Sequence, residues 1–125
     1  KKKKMQIDLQ QPMMLTAAYC GKTKISFQRT GNVYYLRFRK PLRKGSLQTV
    51  RLSFSGVPRP AVNPPWDGGW IWKKDKLGRP WVSVAVQGLG ASSWYPCKGH
   101  QSDEPDSAFL HITVPDTLVA VANGR

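Results

Sequence analysis

At 125 residues with ten prolines and eleven glycines, the chain suits a domain with a modest core, frequent turns and few long helices. No apolar run is long enough to span a bilayer, and the four lysines at the start have no leader-like apolar segment behind them. The net charge of +13 suggests a nucleic-acid partner, but its distribution argues against one. Residues 21–80 hold fourteen Lys and Arg against Asp67 and Asp75, a net +12, whereas residues 81–125 sum to −2. Neither a nucleic-acid nor a membrane partner is expected. The chain opens without Met and stops at Asn123-Gly124-Arg125, directly after an apolar run. We therefore expect a piece of a longer protein, whose basic middle faces a neighbouring domain.

Period-two alternation predicts strands along most of the chain. In "MQIDLQ", Met5, Ile7 and Leu9 share a face, and Pro12 ends the segment. "MMLTAAYC" is a second strand and "KISFQ" a third, with Ile25 and Phe27 together. "RTGN", Arg29 to Asn32, is a hairpin loop with Gly31 at the left-handed position. "VYYLRFRK" sets Tyr34, Leu36 and Phe38 inward, and "LQTVRLSFSG" does the same with Val50, Leu52 and Phe54. Strands that return every eight to twelve residues predict an all-β fold, an antiparallel sandwich or barrel.

From Val57 to Pro80 the chain is rich in Pro, Gly and Trp. "GWIWKKDKLGRPW" predicts a small hairpin from Trp70 to Lys73, turning through Asp75–Gly78 and returning at Trp81. Trp66, Trp70, Trp72 and Trp81 either cap the core or form a ligand-facing aromatic patch. Val82, Val84 and Val86 alternate with Ser83, Ala85 and Gln87 in the next strand. "AFLHITVP" and "TLVAVANG" are predicted as the final two.

No catalytic or metal-binding motif is complete. Gly-x-Ser-x-Gly, a phosphate-binding glycine loop, His-Glu-x-x-His and Cys-x-x-Cys are all missing. Cys20 and Cys97 read as two thiols, with a disulfide as the alternative. Asp103, Glu104 and Asp106 read as a turn, because Pro105 and Ser107 interleave them, with an acid–base or cation-binding pair as the alternative. Gln87 ends an alternating strand and is followed by Gly88-Leu89-Gly90, which lets a ligand or another backbone approach. Its amide either contacts a ligand, as donor and acceptor at once, or is an exposed strand-end group.

"QGLGASSWYPCKGHQSDEPDSAFLHITVPDTLVAVANG" resembles the N-terminal domain of zinc aminopeptidases related to aminopeptidase N and leukotriene hydrolase. Gln87 stands ten residues before Cys97, and Pro96-Cys97, Asp103-Glu104-Pro105, Val114-Pro115 and Asn123-Gly124 follow in the family's order. "YYLRF", "KGSLQTVRLSFSGVP" and "PPWDGGWIW" also fit, the last resembling a bacterial branch. The resemblance implies a saddle-like β-domain packed on a separate catalytic domain of the same protein. That domain would hold the zinc, so residues 1–125 would contribute no cofactor, metal ligand or catalytic residue. By position, Gln87 would hold the free α-amino group of a peptide substrate, with Gly88 and Gly90 beside it.

Three departures stand out. Ala85 occupies a position where many members have a second Gln, Ser92-Ser93 replaces a frequent arginine pair, and Lys98–Ser102 lengthens the loop before Asp103. Two other readings of the chain remain open: a free-standing basic β-sandwich that binds polyanions, and a carbohydrate-binding module built on Trp66, Trp70 and Trp72. Exposed strand edges would also let the chain associate with copies of itself.

Overall fold

The computed structural model describes residues 3–124. The protein is all-β and antiparallel, and no described residue lies in an α-helix. Eight strands follow in order: β1 (Lys4–Asp8), β2 (Met14–Cys20), β3 (Thr23–Lys24), β4 (Ser26–Thr30), β5 (Val33–Arg37), β6 (Val50–Ser55), β7 (Gly69–Lys74) and β8 (Pro80–Ala85). They form a sheet β1-β5-β4, a second sheet β3-β2-β6, and the hairpin β7-β8.

The first two sheets build a sandwich-like body, each turning apolar side chains inward, by strict alternation in β1 and β5 and across a register shift between Leu15 and Ala17 in β2. Ile7, Tyr34 and Leu36 come from one sheet, Leu15 and Ala18 from the other, and Leu9, Met13, Ile25 and Phe38 close the rim. Leu9 and Leu36 are fully buried. Tyr34 also satisfies its hydroxyl inside: Leu15 N–H donates to Tyr34 Oη at 3.2 Å. Ile25 marks where the chain passes between sheets, and its N–H donates to Ala18 O.

The β4–β5 register, Thr30 opposite Val33, leaves a two-residue loop whose first member is Gly31 with φ +60°. A glycine there matches the right-handed twist of the flanking strands. The β7–β8 hairpin also forms as expected. Asp75 closes its turn: Leu77 N–H and Arg79 N–H both donate to Asp75 Oδ1, and Arg79 Nε donates to Oδ2. These bonds, led by those from Arg79, hold the Asp75 carboxyl below its ordinary range.

Three expectations are corrected and one open alternative is decided. Phe54 is exposed, because only the Val50 and Leu52 part of β6 reaches the core. Trp66, Trp72 and Trp81 are also exposed, so they do not cap the sandwich. Trp70 instead stacks on Trp72 at 5.5 Å and meets the edge of Trp94 at 5.7 Å. Finally, "AFLHITVP" and "TLVAVANG" form no strand. A turn links them, with Leu118 N–H donating to Pro115 O, but no ladder forms on either side of it. Phe109, Val119 and Val121 are each about nine-tenths exposed. Alternation gives such a segment two faces, but a strand exists only where another backbone pairs with it.

Candidate functional site

Strand β8 runs antiparallel to β7 with Ala85 opposite Gly69. The pair is drawn close: a Cβ on Gly68 would lie 2.4 Å from Ala85 O, so no side chain fits there. β8 ends at Ala85, so Gln87 does not end the strand as expected but lies two residues beyond it, where the chain reverses. Gly90 N–H donates to Val86 O at 2.9 Å, leaving Gln87, Gly88 and Leu89 at the tip of a short loop. Gln87, Gly88 and Gly90 are all exposed.

Gly88 and Gly90 have φ of +81° and +78°, which a residue with Cβ adopts only under strain. A Cβ on either would meet nothing within 4 Å. The two glycines therefore bend the loop and leave the space above it open, rather than admitting another part of the chain.

The loop is fixed from below by Gln10, just beyond β1. Gln10 Nε2 donates to Leu89 O at 2.7 Å and to Ser92 Oγ at 3.0 Å, while Gln10 N–H donates to Ser92 O. Ser93 Oγ donates to Gly90 O at 2.9 Å. Ser92 and Ser93 are the buried polar residues among those described, and they occupy the position of the expected arginine pair. Short hydroxyls suit a loop that must lie flat on the sandwich, where two guanidiniums would need solvent or counter-charges. Sequence reasoning passed over Gln10, because its partners lie about eighty residues away.

A second tether follows. Asp8 and Cys97 exchange backbone hydrogen bonds of 2.8 and 3.1 Å, so the Pro96-Cys97 segment adds to the free edge of β1. Gly99 N–H donates to Asp8 Oδ2 at 3.0 Å. Both cysteines are free thiols. Burial, and then the charge of Asp8, raise the Cys97 pKa.

The inserted segment Lys98–Ser102 now has a structural role. Lys98 Nζ pairs with the Asp103 carboxylate across its ends, and His100 Nδ1 accepts from Ser102 N–H. Asp103 therefore serves a loop closure, and Glu104 and Asp106 stay exposed.

Two adjoining hollows border these loops. The smaller, about 440 Å³, is lined by Asp8, Gln10, Asn32, Ser92, Cys97 and the Gly88–Gly90 backbone. The larger, about 840 Å³, lies over Met5 and Leu42 and is ringed by Lys4, Arg43, Lys44 and Lys98. Asp8 and Gly99 line both. Gly88 and Gly90 thus lie at one end of a recess, whereas Gln87, next to Gly88 at the loop tip, lines neither hollow, and nor do Trp66, Trp70 and Trp72. Among the described residues, no three His, Cys, Asp or Glu gather as a metal site requires.

No family model, curated protein or solved structure matches this chain. The family reading accordingly rests on the order of the sequence motifs.

Proposed function

We propose that this chain is the non-catalytic N-terminal β-domain of a zinc aminopeptidase, and that it forms one wall of the cleft that receives a peptide's free amino terminus. The observation that carries this reading is the Gln87 loop: an exposed amide at the tip of a turn just past β8, flanked by open glycine backbone, in a loop braced by Gln10, Ser92 and Ser93. A braced backbone spares the cost of ordering the loop on binding and leaves only that of the Gln87 side chain. The Gln87 amide oxygen accepts from the substrate ammonium, while its NH₂ donates to a nearby peptide carbonyl. Ala85, the last residue of β8, offers no polar group, so Gln87 bears this recognition alone in this segment.

The zinc of this reading belongs to a separate domain, where it would activate water for peptide hydrolysis. The residues described here bind and orient; they transfer no proton.

The test is Gln87→Ala in the full-length enzyme. Losing a hydrogen bond to a charged group costs about 10- to 100-fold in kcat/KM. We expect that loss for peptides with a free amino terminus. Unchanged kinetics on such peptides sinks the assignment.

A further inference from the structure

We infer that the larger hollow is a subsite for acidic residues downstream in the peptide whose amino terminus lies at Gln87; the direction of the peptide rests on the function proposed above. The two hollows differ in charge. The one beside Gly88–Gly90 is lined by neutral amides, hydroxyls and backbone, with Asp8 as its charged group. The one beyond Asp8 and Gly99 brings together Lys4, Arg43, Lys44 and Lys98 against Asp8 and Asp103, a net +2.

Those two carboxylates are already engaged. Asp103 pairs with Lys98, and Asp8 accepts from Gly99 N–H and from Gln6 Nε2. Lys4, Arg43 and Lys44 take part in none of the ion pairs among the described residues. They come from different elements, Lys4 from β1 and the other two from the β5–β6 connection. Lys4 Nζ lies over the Tyr35 ring, 6.0 Å from its centre, which leaves Arg43 and Lys44 uncommitted. These two cations above an apolar floor of Met5 and Leu42 suit a Glu side chain, whose methylenes cover the floor while its carboxylate meets the rim.

The recess is therefore polarised along its length. An ammonium is favoured at Asp8, beside the Gly88–Gly90 backbone that follows Gln87, and carboxylates are favoured at Arg43 and Lys44. A free peptide with acidic residues after its second position has that same polarity.

Calorimetric titration of the full-length protein, with a chelator present to prevent hydrolysis, tests this with Leu-Ala-Glu-Glu, its N-acetylated form, and Leu-Ala-Gln-Gln. One exposed ion pair is worth roughly a two- to fivefold change in affinity. We expect the Glu-Glu peptide to bind about tenfold more tightly than the Gln-Gln peptide, with the margin shrinking as salt screens the charges. Arg43→Gln with Lys44→Gln removes the margin. These side chains are exposed and make no hydrogen bond in the structure, so the fold survives the change. N-acetylation and Gln87→Ala weaken both peptides alike.

Equal affinity for the two peptides, with sensitivity to acetylation kept, overturns the acidic subsite and leaves the amino-terminal reading standing. Acid preference without sensitivity to acetylation overturns the Gln87 reading, and with it the peptide's direction. Binding of neither peptide overturns both.

Discussion

Residues 3–55 and residues 104–124 start from the same kind of sequence and end differently. Both alternate apolar and polar side chains, and both contain a turn that would close a hairpin. In the first region Tyr34, Leu36 and Phe38 are buried between two sheets. In the second, Phe109, Leu110, Ile112 and Val114 face solvent to varying degrees, and the turn at Pro115–Leu118 has no ladder beside it. The contrast separates two things that period-two patterning merges. Alternation decides which side chains would share a face, and the availability of a second backbone decides whether a strand forms. In the body, β5 lies between β1 and β4 and uses both edges. The 104–124 segment forms no ladder with any described strand.

Truncation of a buried and an exposed apolar residue is the strongest way to break this comparison. Leu36→Ala, at a fully buried site, should cost about 3 kcal/mol in urea unfolding, whereas Ile112→Ala should change stability by less than about 0.5 kcal/mol. Comparable losses at the two sites would mean that the 104–124 segment is packed after all.

A smaller effect sharpens the account of the body. Tyr34→Phe keeps the ring but strands the Leu15 N–H that now donates to Tyr34 Oη. We expect a loss of about 1–2 kcal/mol in the same measurement, with the strand signal in circular dichroism unchanged. A neutral result would show that Leu15 N–H finds another acceptor.

The join between the sandwich and the chain beyond β8 can be probed at Cys97. Its pKa is raised by burial and by Asp8, so folding favours the protonated thiol. The sign follows: this contribution is complete below the ordinary thiol pKa and is lost as pH rises through the folded value. Stability should fall in that alkaline window, and less so in Asp8→Asn. Cys97 should also react more slowly with a disulfide reagent at pH 8 than a thiol in an unfolded peptide, and Asp8→Asn should quicken it.

The smallest effect lies in the β7–β8 turn. Asp75 is held below its ordinary pKa chiefly by hydrogen bonds from the Arg79 backbone and side chain. Its contribution is present above the ordinary carboxylate pKa and disappears as pH falls through the lowered one. Acid titration followed by NMR should show the Leu77 and Arg79 amide shifts moving below the range of free aspartates. Movement within that range would mean the turn is open in solution.

Much of the fold was legible because it depends on near neighbours. The inward set Tyr34, Leu36 and Phe38, the Gly31 loop and the Trp70–Trp81 hairpin each follow from a few adjacent residues. The site was legible only in part. Gln87-Gly88-Leu89-Gly90 stood out as a strand end followed by flexible backbone, but Gln10 did not, because a lone Gln after a strand has many uses. The tryptophans misled, since large aromatics suggest a core, yet here Trp70, Trp72 and Trp94 associate with one another outside it. The Lys98–Asp103 loop had no reading until its ends were seen to pair.

The sequence by itself determined the all-β class, the faces of the early strands, the tight turns and the identity of the exposed amide at Gln87. These follow from local sterics and from a two-residue repeat, which act over a few bonds. Only the tertiary structure decided that Gln10 and Ser92 brace the Gln87 loop, that Cys97 pairs with Asp8, and that three cations with no acidic partner ring one hollow. Those contacts join residues up to about ninety positions apart, and no local pattern encodes which distant backbone or charge a segment will meet.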